Sequence, residues 1–308
     1  MDKAMPTKHP YRLGVDLGGT KIETILLDPE GGSLGRKRTA TPRDPDGPTE
    51  YARIRDRVHT LIEAALGKVP HGHTCTIGIG IPGTINARTG RVQNANTTGL
   101  IGHPFQHDLE TRLGRPITME NDANCFTLAE ARQGAAKGYE LVFGIILGTG
   151  CGGGISINGK IHSGRHLIAG EWGHFSVDPE GARCYCGNRG CVETKISGGG
   201  VAQSFFERTG QRLTLEEITE GYRQGDPQCR SVFEQFLDDF GRCLGGLISV
   251  LDPDAVVLGG GVSNIDELYT LGVEQVRRYA FHERIQTPIL KHQLGDSAGV
   301  IGAAWIGK

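Results

Sequence analysis

Four residues at close spacing have the types that hold a metal: His174, then Cys184, Cys186 and Cys191. Three thiolates and one imidazole suit tetrahedral Zn²⁺ with no open position, so such a site would be structural. The plainer alternative is three free buried thiols beside an unrelated histidine. The cluster has no C-x-x-C pair, which disfavours redox chemistry. Next to it stand Glu171-Trp-Gly-His174 and Glu193. Glu171 and His174 are three apart and would share a face on a helical turn. With Glu193 they have the groups to grip neighbouring hydroxyls of a sugar, zinc keeping that loop rigid. Surface ion pairs are the other role open to them.

Three glycine motifs point to phosphate or nucleotide. Asp16-Leu-Gly18-Gly19-Thr20-Lys21 follows an apolar run. Glycines let backbone N–H groups approach phosphate oxygens, and Thr and Lys add donors. Asp16, at a strand end, has the chemistry to hold a hydrated Mg²⁺. The spacing is neither that of a P-loop nor of a Rossmann turn, and an ordinary hairpin turn stays open. Gly148, Thr149, Gly150, Cys151, Gly152, Gly153 and Gly154 form a second motif after another apolar run. Together the two suggest paired hairpins around one polyphosphate. Gly259, Gly260 and Gly261 form a third, suited to the flat face of a nucleotide or to a tight strand-to-helix turn. Glu120-Asn121-Asp122-Ala-Asn124 admits two readings. Asp122 caps a helix, or it is the general base for a hydroxyl attacking a γ-phosphate, with Asn121 on an adjacent hydroxyl.

The elements that must carry these groups are legible in outline. Residues 11–16 and 22–27 read as a hairpin around the first glycine motif. Residues 31–48, rich in Pro, Gly and Arg, read as strand ends and a loop. Residues 51–66 have helical spacing, 76–81 and 116–119 are strands, and 123–133 is a helix. Residues 141–147 and 154–157 are strands flanking the second motif, so the opening pattern recurs. That duplication predicts two similar α/β lobes. Helices follow near 198–209 and 232–251, a strand at 255–258, and a terminal helix near 297–306. The expected domains are residues 1–122, with a helix at about 296–308 packing back, and residues 123–295, which carry the zinc motif.

The chain has 308 residues, 33 basic and 35 acidic, for a net charge of −2. That balance argues against a nucleic-acid surface. The longest apolar run, residues 141–147, is far short of the ~20 residues of a membrane span, and residues 1–10 are polar and unlike a signal peptide. A cytoplasmic protein with no membrane or nucleic-acid partner is expected. Glycine, at 48 residues, is about twice its usual frequency. The scattered Cys75, Cys125, Cys151, Cys229 and Cys243 read as small buried hydrophobes.

Taken together, these residues resemble the ROK family of sugar kinases, from Asp16 to Trp305. The most specific part is Glu171-x-Gly-His174 followed by Cys184-x-Cys186-Gly-x-x-Gly-Cys191-x-Glu193. The resemblance implies a two-lobed actin/hexokinase-like ATPase fold with ribonuclease H-like lobes and a ligand cleft between them. It implies that Asp122 is the catalytic base. It also implies that Gly18, Gly19, Thr20 and Lys21 bind the phosphates of ATP with Mg²⁺, as do residues 148–154, and that Gly259 to Gly261 lie near the adenosine. Asn96, Asn121, Glu171, His174 and Glu193 would contact the sugar, His174 also binding zinc. The stretches around Gln93-Asn-Ala-Asn96-Thr-Thr, Gly148-Thr-Gly-Cys151-Gly and Cys184-Tyr-Cys186 look most like bacterial fructokinases. Fructose is therefore the expected acceptor, with mannose or glucose after it; N-acetylglucosamine kinases and glucokinases are the alternative. A homodimer is implied as well. Residues 175–183 form a shorter segment than in some relatives, which bears on a lid over the sugar. Residues 1–10 leave no room for the winged helix-turn-helix of the family's repressors. A sugar-sensing regulator without catalysis is the alternative of another class.

Overall fold

A computed structural model describes residues 9–44, 49–95 and 97–308. The chain divides into two compact units. One holds the residues up to Ala129 with Gly164–Ile168 and Ser297–Lys308; the other holds Glu130–Ser163 and Ala169–Asp296.

The strands of the first unit are β1 (Tyr11–Leu17), β2 (Lys21–Leu27), β3 (Ser33–Ala40), β4 (Cys75–Ile81), β5 (Thr84–Ile85), β6 (Val92–Gln93) and β7 (Thr118–Asn121). Its helices are α1 (Glu50–Leu66) and α2 (Phe105–Leu113), together with the start of α3 (Asp122–Gln133). Five strands form one sheet in the order β3-β2-β1-β4-β7. β1, β2 and β3 pair antiparallel, and β4 and β7 continue from β1 in parallel. The apolar face of α1, with Ile54, Val58, Leu61 and Ile62, joins Leu13, Val15, Ile77 and Ile79 of the sheet in one core.

The second unit repeats this plan with β8 (Leu141–Leu147), β9 (Cys151–Ile157), β10 (Lys160–Ile161), β11 (Ala255–Gly259) and β12 (Ile289–Lys291). Its order, β10-β9-β8-β11-β12, again sets an antiparallel meander beside parallel strands. The duplication of the glycine turns is thus a duplication of topology, and the fold is α/β with two lobes. Helices α4 (Val192–Ile196), α5 (Gly198–Thr209), α6 (Leu215–Arg223), α7 (Pro227–Leu251) and α8 (Leu271–Tyr279) cover this lobe. Phe143, Phe205, Phe233, Phe236 and Phe240 fill its core.

The last helix, α9 (Ala298–Ile306), belongs to the first unit and lies across β1 and β4. Gly14 and Gly78 are register partners there. A Cβ on Gly14 would overlap the Val300 carbonyl, and one on Gly78 the Ala303 carbonyl. The two glycines let a helix of Ala, Gly and Val lie directly on the sheet.

Two segments depart from the sequence reading. Residues 33–40, within the stretch read as strand ends and a loop, form one continuous edge strand, β3. Their charges and exposure hid a strand whose partners all lie on one side, as at a managed sheet edge. β9 begins at Cys151, not at residue 154. Gly152, Gly153 and Gly154 therefore lie within a strand, and a Cβ on Gly153 would press on Phe143 and the Gly170 carbonyl. Close packing, rather than an open loop, accounts for glycine there.

Candidate functional site

In the first unit the turn between β1 and β2 is held by its own backbone and by the end of β3. Gly18 N–H donates to the Lys21 carbonyl at 2.9 Å. Thr41 N–H donates to the Thr20 carbonyl at 2.9 Å, and Thr41 Oγ1 donates to the Gly18 carbonyl at 2.8 Å. Asp16, just before this turn, faces Glu23 across the β1–β2 register. Burial pushes its carboxyl up to about 6; Lys21 opposes that rise and Glu23 adds to it. Glu23 itself is fully buried and is paired to Arg36 at 2.8 Å and Arg38 at 2.6 Å. Sequence reading missed this buried ion cluster, whose cations come from β3.

At the β7–α3 junction the capping is done largely by Asn121. Its Oδ1 accepts from Ala123 N–H at 2.9 Å and Asn124 N–H at 3.4 Å, and its Nδ2 donates to the Gly83 carbonyl at 3.2 Å. Most of the amide's capacity is thus spent on backbone. Asp122 is the first residue of α3, with one oxygen also accepting from Ala123 N–H at 2.9 Å. Asn96 lies outside the described residues.

In the second unit the β8–β9 turn docks on the start of α5. Gly198 N–H donates to the Gly148 carbonyl at 2.8 Å and Gly199 N–H to the Thr149 carbonyl at 3.1 Å. Open space surrounds Gly148 where a Cβ would be. Glu193 Oε2 accepts from Cys151 N–H at 2.9 Å and lies 2.6 Å from a Cβ position on Gly150. One oxygen of this residue therefore braces the turn, a role its position in the sequence did not reveal. Gly259 ends β11; Gly260 has φ +80 and packs on the Leu147 carbonyl, while Gly261 is open toward Glu216. Only glycine takes that φ without strain.

The Glu171-Trp-Gly-His174 segment ends in a short 3₁₀ turn, Trp172–His174. Gly173 is buried, and a Cβ there would overlap the Cys151 carbonyl. Trp172 stands edge-on to Phe143 at 5.9 Å. Partial burial pushes the Glu171 carboxyl up, against the pull of His174. The donor atoms of His174, Cys184, Cys186 and Cys191 all lie within 4.8 Å of one another. Cys184 Sγ is 3.6 Å from His174 Nδ1, and Cys186 Sγ is 3.6 Å from Cys191 Sγ. A tetrahedral zinc with Zn–S about 2.3 Å and Zn–N about 2.0–2.1 Å sets its donors roughly 3.5–3.8 Å apart. Both 3.6 Å separations fit that geometry. Burial and its sulfur neighbours push the Cys191 thiol up to about 12, so its thiolate calls for a cation beside it. His174 Nε2 is not open to solvent alone: the Tyr185 hydroxyl lies 3.0 Å from it. A cavity of about 590 Å³ in this unit runs from Thr149 and Glu193 past Cys184 and Tyr185 to Lys195 and Asp239. Among the described residues no helix is long and apolar enough to cross a membrane.

Comparison with known proteins gives a consistent picture. The family model described as "ROK family" matches residues 12–308. An N-acetyl-D-glucosamine kinase of Yersinia enterocolitica is 38% identical over 303 residues, covering 95% of this chain and 98% of the relative. The crystal structure of a ROK hexokinase from Thermus thermophilus superposes with a TM-score of 0.86 at 31% identity, covering 96% and 97% of the two chains. That of a ROK family glucokinase from Streptomyces griseus, in complex with glucose and AMPPNP, has a TM-score of 0.74 at 34% identity, covering 96% and 99%.

Proposed function

The chain belongs to the ROK family, and on that premise we propose that it is an ATP-dependent sugar kinase acting on the 6-hydroxyl of a hexose, fructose first. Asp122 takes the hydroxyl proton as the sugar oxygen bonds to the γ-phosphorus, and ADP departs with the bridging oxygen. The observation that carries the base assignment is the division of labour at the head of α3. Asn121 accepts from both Ala123 and Asn124 N–H, and Asp122 shares the Ala123 N–H with it, so the cap does not depend on the carboxylate alone. Backbone N–H groups of the Gly18–Lys21 turn and of residues 148–150 would hold the phosphates, and Gly259 to Gly261 the adenosine. Glu171, His174 and Glu193 would meet sugar hydroxyls. Tyr185 must yield His174 Nε2 for that contact, and Asn121 has little amide capacity left for it.

Two metals fit the residues of these sites. Asp16, a carboxylate at a strand end with hard oxygen donors, would hold a water of Mg²⁺, which supplies charge neutralisation to the phosphates. His174, Cys184, Cys186 and Cys191 would hold Zn²⁺, which supplies rigidity to the loop bearing Glu171 and Glu193.

N-acetylglucosamine is the second acceptor reading, favoured by the 38% identity with a kinase of that sugar. Fructose is favoured by the resemblance of Gly148-Thr-Gly-Cys151-Gly and Cys184-Tyr-Cys186 to the corresponding stretches of bacterial fructokinases. The deciding experiment is ADP release with Mg·ATP against fructose, mannose, glucose, N-acetylglucosamine and N-acetylmannosamine. The highest kcat/KM names the sugar. Tight sugar binding with no ADP release on any of them would favour a sugar-sensing regulator instead.

A further inference from the structure

Arg43 is a cation delivered to the phosphate turn by a rigid segment. Thr41 is buried and hydrogen-bonded twice to that turn, through Gly18 and Thr20. Pro42 fixes the backbone between Thr41 and Arg43. The Arg43 Nη2 atom lies 3.1 Å from the point a Cβ on Gly19 would occupy. The guanidinium therefore rests against Gly19, a half-buried residue of the turn.

Its direction is set by a second residue. Arg43 Nη1 lies 3.2 Å from Glu50 Oε1, in the first turn of α1. Glu50 is 6% exposed, and Gly99 packs so close that a Cβ would lie 2.9 Å from the Glu50 carboxyl carbon. An exposed ion pair is worth little, whereas burying a carboxylate is costly unless it is paired. Glu50 is thus a fixed anchor for one edge of the guanidinium. A guanidinium has five N–H donors, and the Arg43 side chain stays 43% exposed, so donors remain for an anion at the turn.

We propose that Arg43, anchored by Glu50, binds the terminal phosphoryl group of ATP at the Gly18–Lys21 turn. The proposal rests on the kinase reading above. Lys21 supplies a point charge, whereas a planar guanidinium matches two phosphoryl oxygens at once. Charge on the equatorial oxygens of the transferred group is what such a donor stabilises.

The test compares Arg43→Gln and Arg43→Lys with the full-length parent, using Mg·AMPPNP and Mg·ADP as calorimetric probes and ADP release as the assay. Losing a charge-assisted hydrogen bond, Arg43→Gln should cut kcat/KM roughly 10- to 100-fold. It should weaken AMPPNP about tenfold while leaving ADP, which lacks the terminal phosphoryl, within about twofold. Arg43→Lys should recover part of the AMPPNP affinity. Equal weakening of both nucleotides, or an AMPPNP affinity that Arg43→Gln leaves unchanged, would overturn the assignment. A parent that phosphorylates no sugar would sink the kinase reading, while the AMPPNP-to-ADP ratio would still report on Arg43.

Discussion

Asp122 follows directly on the side chain that caps its helix, and this ordering makes its role separable from structure. Asp122→Asn keeps the shape and loses the base. Turnover should fall by about 10²- to 10⁴-fold, the usual contribution of general-base catalysis, with sugar affinity by calorimetry changed only a few-fold. Near-normal turnover would remove Asp122 from the chemistry. Asp16 makes a prediction about stability. Its carboxyl is raised in the folded state to about 6 from an ordinary 3.8. The unfolded chain therefore ionises first, so Asp16 weakens the fold as pH climbs from about 4 to 6 and by a constant amount above that. At about 1.4 kcal/mol per pH unit the cost is roughly 3 kcal/mol. Measured without nucleotide or Mg²⁺, Asp16→Asn should raise the unfolding midpoint at pH 7.5, with the gain fading by pH 4. An unchanged midpoint at both pH values would mean that the carboxyl is not desolvated. The residues legible in the sequence were those whose types are rare and chemically specific, such as the three cysteines within the eight residues 184–191, after His174. Arg43 and Glu23 were not, because arginine and glutamate occur all over a protein surface and only the fold shows that Glu23 and Glu50 are buried.

At the scale of elements, period and turn chemistry marked most of the sheet strands and the long helices. They failed where burial, not pattern, decides. β3 carries Arg36, Lys37 and Arg38 in a row, and only the ladder to β2 and the Glu23 cluster make it a strand. Gly152 and Gly153 of β9 read as part of the turn because packing such as that of Gly153 against Phe143 and Gly170 cannot be seen in one dimension. α9 shows the opposite case: a Gly/Ala-rich terminal stretch was recognisable as a helix, yet its seat on Gly14 and Gly78 was not. That seat carries a prediction. A methyl on Gly78 meets the Ala303 carbonyl and the Ile306 side chain, so Gly78→Ala should destabilise by about 1–3 kcal/mol, the usual cost of overpacking. Thermal unfolding reads this directly, and an unshifted midpoint would mean that α9 lifts off the sheet freely. The zinc loop carries another. Metal analysis of purified protein should give about one zinc per chain, as a closed Cys₃His site holds one ion. Fully folded, zinc-free protein would rule this out.

At the scale of the molecule, each unit has its own sheet and its own closed core. Leu13, Val15, Ile54 and Ile77 belong to one, and Phe143, Phe233, Phe240 and Val256 to the other. Chains of two such units commonly unfold in more than one step. The two perturbations above fall on different units: Gly78 lies in the first, and His174 with the three cysteines in the second. Calorimetry should therefore resolve two transitions. Gly78→Ala should lower one by several degrees, at about 2–4 °C per kcal/mol for a unit of this size. Chelation should lower the other, because the free energy of binding a structural metal is folding free energy. Each perturbation should leave the opposite transition within about 1 °C, as expected for independent sites. If both moved a single transition together, the two cores would be one cooperative structure. The duplicated strand order would then describe only topology, and the metal's rigidity would be shared with the Gly18–Lys21 turn. Separate transitions would confine zinc's effect to the second unit, which holds Glu171, Glu193 and the β8–β9 turn. Chelation would then raise the KM for the sugar and, through the Glu193 bond to the β8–β9 turn, weaken nucleotide as well, while the pH-dependent stability assigned to Asp16 in the first unit stays as it was.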